Sequence, residues 1–286
     1  VTVPESVEHI GGGSFADCTG LTSVTIPEGV SAIEGETFFG CSGLKSITIP
    51  TSVTSIETHA FYDCTALSNL TIPESVTSIG EGAFSRCAAL TSIVIPAHVT
   101  SIDWTVFSYC SGLTSVTIPE GVTSIGGHAF QSCTGLTSVT IPASVSNIGP
   151  SAFCGCTALT GVYFGGNAPT VGSYVFRTYD ECKDAFVNIP GLMLYYIEGK
   201  TGWTTPTWSK EEYPTAPWKD ADVPAGEFSD VSPAAWYAGA VDYAVSNKLM
   251  NGMGGGKFEP NGSMTRAMLV TVLWRYAGSP AEGTNG

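Results

Sequence analysis

The chain has 286 residues, only 13% of them charged, and a formal net charge of −14 at pH 7. That length leaves room for one or two domains with cores of their own, so disulfide staples are not required. The acidic balance excludes a nucleic-acid partner, which needs a basic face, and no apolar run approaches the roughly 18 residues of a bilayer span.

The opening residues, VTVPESVEHI, already belong to a repeat, so no signal peptide is in view and the chain reads as a mature or trimmed fragment. Cysteines stand at Cys18, Cys41, Cys64, Cys87, Cys110, Cys133 and Cys156, each one 23-residue period after the last. A phenylalanine precedes each by three positions (Phe15, Phe38, Phe61, Phe84, Phe107, Phe130, Phe153), and Leu21 through Leu159 follow at the same interval. The unit reads L-x-S-V-T-I-P-x-x-V-T-S-I-x-x-x-A-F-x-x-C-T-x. A fixed period in the range of roughly 20–50 residues marks a solenoid, in which each unit buries its apolar side only against its neighbours.

Within a unit, SVTIP alternates apolar and hydroxyl side chains, the period of a half-buried strand. Proline, with no N–H for the ladder, ends it. The V-T-S-I stretch is a second short extended piece. The segment typified by residues 80–87 sets Phe84 and Cys87 at i and i+3, so one helical turn would point both inward. The expected fold is therefore a β-rich repeat solenoid over residues 1–160, built from seven 23-residue units of short strands and helical turns. At a strand spacing of about 4.8 Å, seven units extend roughly 35 Å.

The string LTSVTIPEGVTSIG..AF..CTGL resembles the BspA-like, or treponemal-type, leucine-rich repeats of bacterial surface proteins. The resemblance covers residues 1 to about 160 and implies a secreted or surface-attached protein, often one that binds ligands or adheres.

The repeat degrades at Gly161, where VYFGGNAPT replaces SVTIP, and residues 161–203 are expected to cap the solenoid. Residues 204–226, rich in Pro, Thr and charge, read as a linker. From Phe228 a small α-helical module is expected: one helix from Ser232–Pro233 with Trp236, Ala240, Val241 and Ala244 at helical spacing, a glycine-rich loop, and a second helix from Thr265 closed by Gly278. The string FSDV-(x)4-WYAGAVDYAVSNKLMNGMGGGKFEPNGSMTRAM is similar to an S-layer homology module over residues 228–278, read as the first of several, with residues 279–286 a tail. The resemblance implies binding to pyruvylated wall polysaccharide. In that role Arg266 clamps the ketal carboxylate, as suits a planar guanidinium, and Asp230 supports the site. The chain departs from the pattern at Met268, where the common motif has an acid.

Other candidate chemistry has a plainer reading. The cysteine column permits neighbouring bridges by Cα spacing. Seven equally spaced thiols leave one unpaired, and each is flanked by inward Phe and Leu, which favours a core ladder of small hydrophobes. A bridge from Cys182 to Cys154 or Cys156 stays open. No cysteine pattern with histidines suggests zinc. His59 and His128 share a register but lie three units apart, on the order of 14 Å, while His9 and His98 occupy other registers. Glu28, Glu74 and Glu120 recur two units apart on an exposed turn with no apolar pocket to raise a pKa. No cofactor and no metal are expected.

The outward strand positions form two hydroxyl rows, and Ser23, Thr25, Thr48, Thr71, Ser92, Ser115, Thr117 and Thr140 are the candidate ligand face. Trp104 and Tyr109 add aromatics elsewhere on the fifth unit. The reading is a non-enzymatic bacterial cell-surface protein. Its solenoid contacts an extracellular protein or glycan of a host or neighbouring cell, and its wall module contacts secondary cell-wall polysaccharide. The alternative is a structural spacer or stalk with no ligand of its own, which near-uniform outward positions suit.

Overall fold

The computed structural model describes residues 1–68, 70–180 and 185–218. The chain comprises two compact units, Val1–Pro217 and Trp218–Gly286. The two helices expected after Phe228, with Asp230, Arg266 and Cys182, fall outside the described residues.

The first face of each coil is a parallel ladder of three- and four-residue strands. Ser23–Thr25 pairs with Ser46–Thr48, Ser92–Val94 with Ser115–Thr117, and Ser138–Ile141 with Gly161–Phe164, each in 23-residue register. Alternation buries Val24, Ile26, Ile93 and Ile95 and leaves Ser23, Thr25 and Ser92 outside. Two-residue strands form the second face in the same register: Ala32–Ile33, Ser55–Ile56 and Ser78–Ile79, then Ser101–Ile102, Ser124–Ile125, Asn147–Ile148 and Thr170–Val171.

The third segment corrects the sequence expectation. The described residues contain no helix, and the expected helical turn is a run of tight turns. In residues 82–87 the amides alternate between two destinations. Ala83, Ser85 and Cys87 donate back to Gly80, Gly82 and Phe84, whereas Gly82, Phe84 and Arg86 donate to Trp104, Val106 and Ser108 of the next coil. A helix would send every N–H to its own i−4 carbonyl; here half are needed to join coils. The turns require left-handed backbone at two columns. One runs through Glu36 (φ 59), His59 (φ 56), Gly82 (φ 60) and Thr105 (φ 53), the other through Gly40 (φ 67), Asp63 (φ 60), Arg86 (φ 63) and Tyr109 (φ 59). The inward direction of Phe84 and Cys87 nonetheless holds, both being fully buried.

The core is organised by those inward side chains. Eight phenylalanines stack from Phe15 to Phe176 with neighbouring centroids 5.1–5.6 Å apart and planes within 16°, an offset parallel arrangement. Beside them runs the thiol ladder, all free and buried from Cys41 to Cys156, with Cys18 exposed at one end. The thiols are more than small hydrophobes. Each buried one donates to a phenylalanine carbonyl in an earlier coil, as Cys64 does to Phe38 at 3.1 Å and Cys110 to Phe84 at 3.1 Å.

Desolvation raises the Cys87 and Cys110 thiols well above their ordinary value of 9.0. Thiolate chemistry is therefore suppressed at these two thiols. At pH 8, alkylation read by peptide mass spectrometry should label Cys18 quickly and Cys64, Cys87 and Cys110 only after denaturation. A group whose folded pKa is raised stabilises the fold below its unfolded pKa. Unfolding free energy should accordingly fall as pH rises above 9.0, where the unfolded chain alone begins to lose these protons.

The eighth coil was hidden by an insertion. Phe176 stands one 23-residue period after Phe153 and is fully buried. An antiparallel hairpin, Arg177–Asp180 with Ala185–Asn188, then interrupts the period. The chain rejoins the ladder at Met193–Ile197, where Gly161 pairs with Met193 at an offset of 32, nine more than the repeat. The segment 204–226, expected as a linker, differs as far as it is described: Thr207–Trp208 pairs antiparallel with Tyr213–Trp218, which adds to the same sheet beside Met193–Ile197. Its prolines suggested a linker, yet Trp208 and Tyr213 are buried and Tyr213 covers the last phenylalanine edge-on, 5.3 Å from Phe176. An ion pair between Arg177 and Glu211 at 3.1 Å ties the inserted hairpin to this closing segment.

Candidate ligand-binding faces

The first-face ladder places the predicted hydroxyls in two rows. Ser23, Thr25, Thr48, Thr71, Ser92 and Ser115 are exposed, while Thr117 and Thr140 are half-buried. Register sets Thr25 beside Thr48, and Val94 beside Thr117. Thr48 and Thr71 come together around a shallow depression of about 340 Å³, also lined by Ser46, Ile47, Ile49 and Pro73. It lies where the described residues of 68–72 form no strand and the ladder is interrupted. Ser23 and Thr140 lie at opposite ends of the rows, so the candidates form an extended strip and not one convergent site.

The threonine row ends in two tyrosines that the sequence reading left in the cap. Thr140 is beside Tyr163, and Tyr163 beside Tyr195; their rings stack at 4.9 Å. Gly161 permits this, because a Cβ there would meet the Tyr163 ring at 3.0 Å. The signal in the sequence was Tyr163 standing one 23-residue period after Thr140.

A second feature lies on the turn edge. Arg86 projects from its left-handed position between two tyrosine rings, 5.9 Å from the Tyr62 centroid and 5.1 Å from that of Tyr109, and its Nε donates to the Tyr62 hydroxyl at 3.0 Å. Trp104, 48% exposed, lies 5.6 Å from the His128 ring, whose Nδ1 is 2.9 Å from Gln131. Sequence reasoning noted Trp104 and Tyr109 but missed Arg86. The signal was a column, since Asp63, Arg86 and Tyr109 follow one another at the repeat interval. Among the described residues no three His, Cys, Asp or Glu side chains are placed to share a metal ion, and no helix is long and apolar enough to cross a membrane.

The 23-residue register and the inward Phe–Cys–Leu columns match a known repeat. The model of the BspA-type leucine-rich repeat region fits residues 1–114 and 105–192, in six copies. The chain belongs to the BspA-type leucine-rich repeat family. Residues 227–267 match the S-layer homology domain. Both are families of non-enzymatic scaffold or surface proteins, consistent with a location at the cell surface.

Among solved structures, a leucine-rich repeat protein from Bacteroides ovatus is 28% identical, with a TM-score of 0.53 over 76% of this chain and 60% of its own. The chain thus spans about 60% of that protein's length. A Treponema pallidum leucine-rich repeat protein is 29% identical over 62% of this chain and 74% of its own, with a TM-score of 0.44. A leucine-rich cell-surface protein from Faecalibacterium prausnitzii is also 29% identical, over 54% and 62%, with a TM-score of 0.35. No curated protein matches the chain.

Proposed function

We propose that this BspA-type repeat protein displays its solenoid on a bacterial cell wall as an adhesin-like binding domain, held there by its S-layer homology module. The observation that carries the binding half is the exposed hydroxyl strip, with its depression at Thr48 and Thr71 and its closing pair Tyr163 and Tyr195. Hydroxyls on a rigid ladder offer donors and acceptors at fixed spacing, and tyrosine supplies the amphipathic anchor in which binding energy concentrates. The partner is an extracellular protein or glycan. The anchoring half rests on the family match at residues 227–267. Arg266 pairs with the carboxylate of pyruvylated wall polysaccharide, supported by Asp230.

A spacer without a ligand is the second reading, favoured by the near-uniformity of the Ser and Thr rows along the strip.

Sedimentation of the purified chain with pyruvylated wall polysaccharide, and titration on immobilised matrix proteins and glycans, separates the readings. Arg266→Ala should reduce wall retention at least tenfold, the loss of a bidentate charged pair. Thr48→Lys with Thr71→Lys should abolish saturable binding to the matrix ligand and leave wall retention intact. Wall retention with no saturable ligand binding would support the spacer.

A further inference from the structure

We propose that the turn edge of the solenoid carries a binding site for an acidic glycan, centred on Arg86 between Tyr62 and Tyr109, with Trp104 on the same turn segment as Tyr109. The site lies on a different face from the hydroxyl strip. It deepens the display reading by naming a ligand class, and rests on that reading only for access to the ligand.

Arg86 is held in place before any ligand arrives. Its backbone is left-handed at φ 63, in a column where Gly40 and Gly155 also stand. Rings from two coils fix its guanidinium, and its Nε is engaged by the Tyr62 hydroxyl. Among the described residues the ion pairs are His9 with Glu34 and Arg177 with Glu211, so Arg86 has no carboxylate partner there. A planar fork with a fixed orientation and no ion-pair partner among the described residues matches a carboxylate in bidentate geometry.

The neighbouring rings decide what carries that carboxylate. Tyr109 and Trp104 are 45% and 48% exposed. The Trp104 ring lies against Gly127, where a Cβ would sit 3.0–3.1 Å from its atoms. Bare backbone thus supports one part of the indole while nearly half of the residue stays open to solvent. Exposed aromatic faces of this kind fit the apolar faces of pyranose rings.

A peptide is disfavoured because the amides of residues 82–87 are all engaged, alternately within the turn and on the next coil, leaving no edge for strand addition. Asp63, Glu81 and Asp103 share the same edge and repel a densely charged polymer. A short uronic-acid oligosaccharide meets both conditions.

The test is calorimetric titration of the full chain with trigalacturonate, its methyl ester and triglutamate at low salt. Saturable binding of trigalacturonate is expected, weakened about tenfold or more by esterification and by Arg86→Ala, and several-fold by Trp104→Ala. Both variants should melt at the parent temperature. Thr48→Lys with Thr71→Lys leaves this binding unchanged, so failure of the hydroxyl strip and failure of this site are separable. The proposal is overturned by absence of binding, by equal binding of the ester, by parental affinity in Arg86→Ala, or by triglutamate binding as tightly with the same dependence on Arg86.

Discussion

Phe107→Ala lowers the unfolding free energy by about 3–5 kcal/mol, the range for removing a fully buried aromatic. Phe107 is fully buried and stacks on Phe84 at 5.6 Å and on Phe130 at 5.4 Å, so truncation opens a void in the middle of the column. Stability in a solenoid is approximately a sum of unit terms and nearest-neighbour interface terms. Losing one ring weakens two interfaces at once. Phe15 makes the informative contrast: it is only half-buried and stacks on Phe38 alone. Phe15→Ala should cost well under half as much. Denaturant melts of both variants against the parent check the pair, and equal losses would mean that the column does not couple the coils.

Tyr213→Ala is the second large effect, about 3–5 kcal/mol by the same cavity argument. The side chain is fully buried, covers Phe176 edge-on, and its hydroxyl accepts a hydrogen bond from the Phe176 amide at 3.3 Å. Truncation uncovers the last ring and also leaves that amide without its partner. Tyr213→Phe keeps the packing and removes only the acceptor, which costs about 1–3 kcal/mol for a buried donor left unsatisfied. A melt in which Tyr213→Ala matches the parent would show that 207–218 does not close the core.

The fold was legible where its physics repeats. Cys, Phe and Leu at fixed intervals identified the solenoid, its inward columns and its strand faces, because each coil solves the same packing problem. The turn conformation was not legible. An i, i+3 pair fits a helix and a tight turn equally well, and what decides between them is amide demand from the next coil. Gly40 and Gly155 mark one left-handed column, but Arg86 and Tyr109 occupy it as well, so glycine content alone understates the constraint. The eighth coil was masked by an insertion, although Phe176 kept the period. Residues 207–218 misled through composition: prolines and charges suggested a linker, while Trp208 and Tyr213 close the core.

Of the candidate face, the hydroxyl rows were readable as strand alternation, whereas the Thr48–Thr71 depression depends on a local interruption of pairing. The Arg86 cluster is visible only when departures from the consensus are read down a column instead of along the chain. Repeats specify the scaffold through what is constant, and sites arise where a column changes.

Surface display is tested by labelling intact bacteria that produce the full chain, with an antibody to the solenoid as probe. Strong labelling is expected before permeabilisation, and for Arg266→Ala a shift of the protein from cells to medium. Labelling that requires permeabilisation, with none released by Arg266→Ala, would contradict it.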